Sequence, residues 1–183
     1  MPILEIPDPA LVVLVGAAGS GKSTLAARLF DADEVLSSDA LREAVSGDAA
    51  DQSASAMAFR ILHRTLARRL GAGRLTVVDA TNVRRVDRRS LLERARVAGV
   101  PAVAVVLDID PVLIQARNAS RPRVVDPTVV DRHSRAVRTT VDRGDLAAEG
   151  FLSVTILVGP GEVAGLAIVR RPAGLDRTGP DAL

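Results

Sequence analysis

The run Ala10-Leu-Val-Val-Leu-Val15, followed at once by Gly16-Ala17-Ala18-Gly19-Ser20-Gly21-Lys22-Ser23, constrains this chain more than any other feature. Apolar residues without alternation suit a strand buried on both faces of a parallel sheet. The segment after them fits G-x-x-x-x-G-K-[ST], and Lys22 to Phe30 reads as a helix. Strand, glycine-rich loop and helix in that order build a phosphate cradle. The N–H groups of residues 17–22 converge on an anion, and the helix N-terminus reinforces them. Composition sharpens the assignment: the chain holds 23 Arg and one Lys, and that one is Lys22. A compact ammonium on a flexible stem reaches the β- and γ-phosphates of a nucleotide, where a planar guanidinium fits poorly. Lys22 is expected to be exposed.

Further β-branched runs lie at 34–38, 74–78, 102–107 and 153–158. Helical periodicity fills the gaps, at about 40–46, 53–71, 86–98, 110–120, 127–143 and 162–170, with Phe59, Leu62, Leu66 and Leu70 on one stripe. Alternating strands and helices imply an α/β fold: a five-stranded parallel sheet with right-handed crossovers, flanked by helices. A chain of 183 residues is one domain, here 1–170. The Pro- and Gly-rich residues 171–183 read as a linker or frayed tail.

Several function classes fall away. No cysteine is present, so there is no disulfide framework, thiolate zinc site or cysteine nucleophile. The two histidines are far apart; His63 reads as structural within a long helix, and His133 as exposed in an Arg-rich one. No apolar run approaches roughly 18 residues and the start lacks a basic segment, so the expectation is a cytoplasmic protein. The formal charge is +2 although the pI is 10.2. With no Tyr or Cys and one Lys, little titrates between neutrality and that pI. The charge is unevenly spread: residues 1–59 carry three basic and nine acidic side chains, and residues 60–183 carry 21 and 13. The basic portion suits an anionic partner, or is ordinary solvated helix surface.

Three strands end in Asp at the edge where open α/β sheets gather ligands: Asp39, Asp79 and Asp108. Helix capping is the competing use of each. The Ser23 hydroxyl is the expected Mg2+ ligand of the loop. Thr24 either touches the α-phosphate or is a plain first-turn hydroxyl. Asp39 and Arg42 share a helix face, as a base and an anion grip for an acceptor or as an exposed ion pair. Arg117 and Arg121 lie one turn apart and Arg123 follows Pro122. That pattern fits a helical, Arg-bearing lid over about 110–126, or solvated arginines.

These segments, with Ser37-Ser38-Asp39 and Arg42, Asp51-Gln52, LTVVDATNV at 75–83 and Glu149-Gly-Phe151, resemble the kinase domain of bacterial polynucleotide kinase-phosphatases of RNA end healing. The likeness covers about residues 10–170, with the motifs in order. It implies a P-loop kinase fold and transfer of the γ-phosphate of ATP or another NTP, with Mg2+, to the 5′-hydroxyl of RNA or DNA. It implies Asp39 as general base, Arg42 and Gln52 at the acceptor, Arg117, Arg121 and Arg123 as lid arginines, and Asp79 near the metal. Residues 120–124 are shorter than the family's usual lid stretch. The family's phosphatase and ligase modules would act in trans or belong to a longer chain. Only Phe30, Phe59 and Phe151 are aromatic, so acceptor binding is expected to rest on arginine–phosphate contacts and aliphatic packing. The competing readings are a kinase for a nucleoside, sugar or antibiotic, and a nucleotide-dependent switch ATPase.

Overall fold

Every residue of Leu11–Gly16 is buried, and the rest of the molecule is arranged around that strand. The computed structural model describes residues 2–47, 54–120 and 124–172. The chain runs β1 (Ile3–Asp8), β2 (Leu11–Gly16), α1 (Lys22–Leu29), β3 (Val35–Ser37), α2 (Ser38–Ser46), α3 (Ser55–Gly71) and β4 (Thr76–Asp79). It continues through α4 (Arg85–Ala98), β5 (Ala102–Leu107), α5 (Pro111–Ala119), α6 (Pro127–Asp142), α7 (Asp145–Ala148), β6 (Ser153–Leu157), α8 (Pro160–Gly165) and β7 (Ala167–Pro172).

Five parallel strands form the main sheet in the order β3-β4-β2-β5-β6. The chain leaves β2 toward β3 and β4 on one side, then crosses to β5 and β6 on the other. That reversal opens a crevice at the carboxyl end of β2, where the glycine-rich loop begins. The pleat sends Val12 and Leu14 into one apolar cluster and Leu11, Val13 and Val15 into the other. The first cluster includes Leu25 of α1, Ile114 of α5 and Val130 of α6. The second includes Leu62, Leu66 and Leu70 of α3 and Leu91 and Ala95 of α4. Full burial of each such leucine contributes about 1.5–3 kcal/mol. No helix among the described residues is long and apolar enough to cross a membrane.

The C-terminal segment folds differently from the sequence expectation. The expected helix at 162–170 is the short α8 followed by β7, which pairs in parallel with the unforeseen β1. Arg171 and Pro172 therefore belong to a strand rather than to a tail starting at 171. This small sheet is held by cross-links invisible in local sequence. Arg170 binds Glu34 through two bonds of 2.7 Å, Arg171 binds Glu5 at 2.7 Å, and Arg28 donates to the Val163 and Leu166 carbonyls. Helix capping also falls elsewhere than on the three strand-end aspartates. Ser37, Asp110 and Asp126 accept the first-turn N–H groups of α2, α5 and α6.

Candidate active site

The phosphate loop begins where β2 ends. Its first residue is fixed by the sheet, since the Gly16 N–H donates to the Thr81 carbonyl at 3.0 Å. A Cβ at Gly16 would sit 2.7 Å from Ser20 Oγ and 3.2 Å from the Leu107 carbonyl, so only glycine lets the loop lie this close. Gly19 and Gly21 take φ of 86° and 103°, which an L side chain rarely adopts. Their N–H groups and that of Ala18 have no protein acceptor among the described residues. Ser20 Oγ is buried without a partner. Unsatisfied donors converging at a helix N-terminus are what an anion requires.

Lys22 is not the exposed residue its sequence position suggests, being only 7% exposed. Its ammonium folds back over the loop and donates to the Gly16 and Ala17 carbonyls at 3.0 and 2.8 Å. Ser23 and Thr24, next on α1, are exposed and face the same cavity.

Asp79, the last residue of β4, is 6% exposed and has no hydrogen-bond or ion-pair partner among the described residues. A buried, unpaired carboxylate facing a phosphate loop suits a cation. The segment after it is held from beneath. Asn82, at φ 48°, donates to the Leu14 carbonyl at 2.8 Å. Arg88, 1% exposed, donates to the Asn82 and Val83 carbonyls and binds Glu149 at 2.7 and 2.5 Å. This explains Glu149 of the Glu-Gly-Phe segment: it neutralises a buried guanidinium that clamps the loop behind Asp79. Local sequence hides Arg88 among four arginines in 84–89. The available signal was its spacing of three and seven from Leu91 and Ala95, the buried stripe of α4.

Asp108 takes a different part. It is 5% exposed, binds Arg138 of α6 at 3.0 Å and does not line the cavity. Burial pushes its carboxyl above the usual range, against the pull of Arg138.

The opposite flank is helical. Asp39 and Arg42 of α2 form an ion pair, with Asp39 60% exposed and Arg42 13%. Arg42 Nε also donates to the Ser38 carbonyl at 3.4 Å. Arg117 of α5 is exposed, and its Nη1 lies 4.0 Å from where a Cβ on Gly21 would be. Two side chains strap α5 to the start of α6. Asn118 exchanges hydrogen bonds with the Val125 backbone at 2.6 and 3.0 Å, and Gln115 donates to the Pro127 carbonyl and to Asp131. Lys22, Ser23, Thr24, Asp39, Arg42, Asp79 and Arg117 thus line one cavity of about 1370 Å³. Gln52, Arg121 and Arg123 lie outside the described residues.

His133 departs from the expected exposed position. It is half-buried on α6, lines the cavity, and keeps Nδ1 shielded without a partner. Burial, Arg132 and Lys22 together hold its pKa below the ordinary 6.5. The amphipathic turn of α6 points it inward, which an Arg-rich local composition conceals.

This cavity, at the switch point of a five-stranded parallel sheet with a glycine-rich loop, Lys22 and a facing arginine helix, defines a P-loop kinase architecture. Residues 11–143 match the AAA domain family, and the chain belongs to that family. Among solved structures it is similar to a chain of the Pnkp1/Rnl/Hen1 RNA repair complex, at 21% identity and TM-score 0.60, over 75% of this chain and 47% of that one. It is also similar to a gluconokinase from Sinorhizobium meliloti, at 17% identity and TM-score 0.55, over 87% of each chain. A third similarity is to a structure of the PezAT toxin–antitoxin system of Streptococcus pneumoniae, at 15% identity and TM-score 0.62, over 85% and 69%. The chain spans about half the length of the RNA-repair chain. At these identities the likeness is one of fold. Among curated proteins none matches the sequence significantly.

Proposed function

We propose that this chain is a polynucleotide 5′-hydroxyl kinase that moves the γ-phosphoryl of ATP or another NTP to a nucleic acid end. The observation that carries the reading is the shared cavity: an exposed carboxylate, Asp39, with its Arg42 partner, opposite the loop of Lys22. A nucleotide switch has no use for a base there. The loop amides and Lys22 hold the β- and γ-phosphates, and Arg117 supplies charge over the migrating group. The residues present fit Mg2+, a hard cation that takes few protein ligands and completes its shell with water and phosphate oxygens. Ser23 and Asp79 would hold it, and when bound it neutralises charge on the phosphates. Asp39 accepts the proton of the 5′-hydroxyl as that oxygen bonds to the γ-phosphorus, and the bond to the bridging oxygen breaks to leave NDP. Arg42, with Gln52, grips phosphate on the acceptor. The similarity to a chain of an RNA repair complex, together with the sequence motifs, supports a nucleic-acid acceptor over a sugar.

The test is kcat/KM for a 5′-OH oligonucleotide, the matching nucleoside 3′-monophosphate and the nucleoside, at low and moderate salt with Mg-ATP. The expected order is oligonucleotide, then 3′-monophosphate, then nucleoside, with the gap widening as salt falls. Equal rates for nucleoside and oligonucleotide, without salt dependence, would replace this reading with a small-molecule kinase.

A further inference from the structure

Beside the acceptor flank lies a second depression, a groove of about 400 Å³ between α3 and α4, lined by Phe59, Arg60, His63, Arg64 and Arg94. Phe59 lines both this groove and the main cavity, so the two are neighbours on either side of it, near the start of α3, where Ser55 and Asp39 also line the cavity. Its ring is 40% exposed, whereas Phe30 and Phe151 are buried. The only exposed aromatic side chain in a chain without Trp or Tyr therefore stands at the junction.

The charge of the groove is one-sided. Helix α3 carries four arginines and no acid. No acid lines the groove: Glu93 of α4 pairs with Arg96, and Asp87 lies 3.9 Å from Arg84, though its charge is still felt by His63. Arg60, Arg64 and Arg94 pair with no carboxylate among the described residues. By contrast Arg74, Arg96, Arg170 and Arg171 each hold one at 2.6–2.7 Å. Arg60 and Arg64 are four apart, a like-charge spacing that weakens a helix unless an anion joins them. On the groove floor, His63 Nδ1 is shielded and without a partner. Three guanidiniums with no carboxylate partner among the described residues, Arg94 bonded only to the Ser90 carbonyl and Arg60 to Met57 Sδ, stand around Phe59, His63 and two alanines; beside the main cavity they complement a chain of phosphodiesters with unstacked bases.

We infer that the acceptor strand leaves the cavity over Phe59 and continues along the α3–α4 groove, with a base on Phe59 and backbone phosphates held by Arg60, Arg64 and Arg94. From Phe59 to Ala67 the groove follows α3 for eight residues, about 12 Å at the helical rise. That is room for a short stretch of single strand beyond the terminal nucleotide. The inference rests on the polynucleotide reading above and adds where the strand runs.

The experiment compares wild type, Phe59→Ala, Arg64→Gln and the triple variant R60Q/R64Q/R94Q. Acceptors are a nucleoside 3′-monophosphate and 5′-OH oligonucleotides of increasing length, over a salt series. Anisotropy of a 3′-labelled 10-mer gives binding without turnover, and melting temperature checks the fold. In wild type, kcat/KM should rise with length and then level off. The triple variant should lose at least tenfold on the 10-mer and be unchanged on the 3′-monophosphate. Its log–log salt slope should flatten by about 2, from three contacts at roughly 0.7 each. Arg64→Gln should shift both in the same direction by a smaller amount, which keeps the test valid should the triple variant misfold. Phe59→Ala should weaken the 10-mer by about fivefold or more. If wild type favours oligonucleotides and the arginine variants keep that preference and slope, the strand runs elsewhere and the groove assignment is wrong. If wild type treats the 3′-monophosphate and the 10-mer alike, the polynucleotide reading itself falls and takes the groove with it.

Discussion

Lys22, Asp79 and Asn82 are 7, 6 and 4% exposed and hang from backbone fixed by adjacent strands. Asp39, Phe59 and Arg117, across the same cavity, are exposed and stand on helices. On the first side the geometry is set before any ligand arrives. Gly16 is bonded to Thr81, Asn82 to Leu14, and Arg88 locks the connecting loop through Glu149. Donors already aimed need little reorganisation when charge appears. On the second side Asp39 is tied to Arg42 of its own helix, while the exposed Phe59 and Arg117 keep rotamer freedom that a bound acceptor must remove. Under the proposed function the first side is the donor half and the second, more adaptable side is the acceptor half, where substrate choice is expected to be made.

The largest effect should come from the acceptor base. Asp39→Asn is expected to lower kcat by about 10²–10⁴ for every acceptor, while calorimetry shows Mg-ATP binding near wild type. A matching loss of nucleotide affinity would mean that the two halves are not separable. Next comes Arg88→Ala, which strips a buried ion pair of one member and leaves Glu149 charged in the interior. Destabilisation of about 3–5 kcal/mol is expected, and melting should drop by roughly 2–4 °C for each of those. Replacing both members by apolar residues should recover much of it, a check on whether Arg88 acts through the fold. Lys22→Ala should cost turnover on the order of 10²–10³, and melting should fall as well, because the buried Gly16 and Ala17 carbonyls lose their ammonium donor, at about 1–3 kcal/mol for an unsatisfied buried group. Retention of more than about a tenth of the activity, a loss under about 1.4 kcal/mol, would remove Lys22 from the phosphate clamp.

The smallest effect concerns pH. Burial is the main reason that His63 and His133 sit below their ordinary 6.5. The unfolded chain then binds more protons than the native one just under that value. Their contribution to stability is complete above pH 6.5 and is lost as pH falls through the lower native values. Melting temperature should therefore decline between pH 7.5 and 5.5, and less so in His63→Gln and His133→Gln. Mg-ATP should blunt the share of His133, which lines the cavity beside Lys22, more than that of His63. Equal protection of both would contradict the separation between cavity and groove.

Much of the donor half was legible because its determinants are contiguous. A buried run, a glycine spacing and one lysine occupy Ala10 to Ser23, and local sterics of Gly16, Gly19 and Gly21 suffice to define the loop. Asp79 was likewise marked by its place at a strand end. Helix positions followed from apolar periodicity, which placed α3 and α5 to within two residues. The strands β1 and β7 escaped because neither is a buried apolar run: two residues of β1 and none of β7 are fully buried, and each strand is paired with the other from the far end of the chain.

What tertiary structure alone decided is which charges are used up and which remain. In a chain with 23 arginines, composition treats Arg42, Arg88, Arg94, Arg117 and Arg138 alike. Folding buries Arg88 against Glu149, spends Asp108 on Arg138, pairs Arg42 with Asp39 and leaves Arg117 over the phosphate loop. It also turns His133 inward and leaves Arg60, Arg64 and Arg94 along one groove. Phosphate-loop geometry is a short-range property of backbone sterics, so sequence determined it. Charge pairing depends on partners far off in the chain, 61 residues for Arg88 and Glu149 and 166 for Arg171 and Glu5, so only the packed molecule settles it.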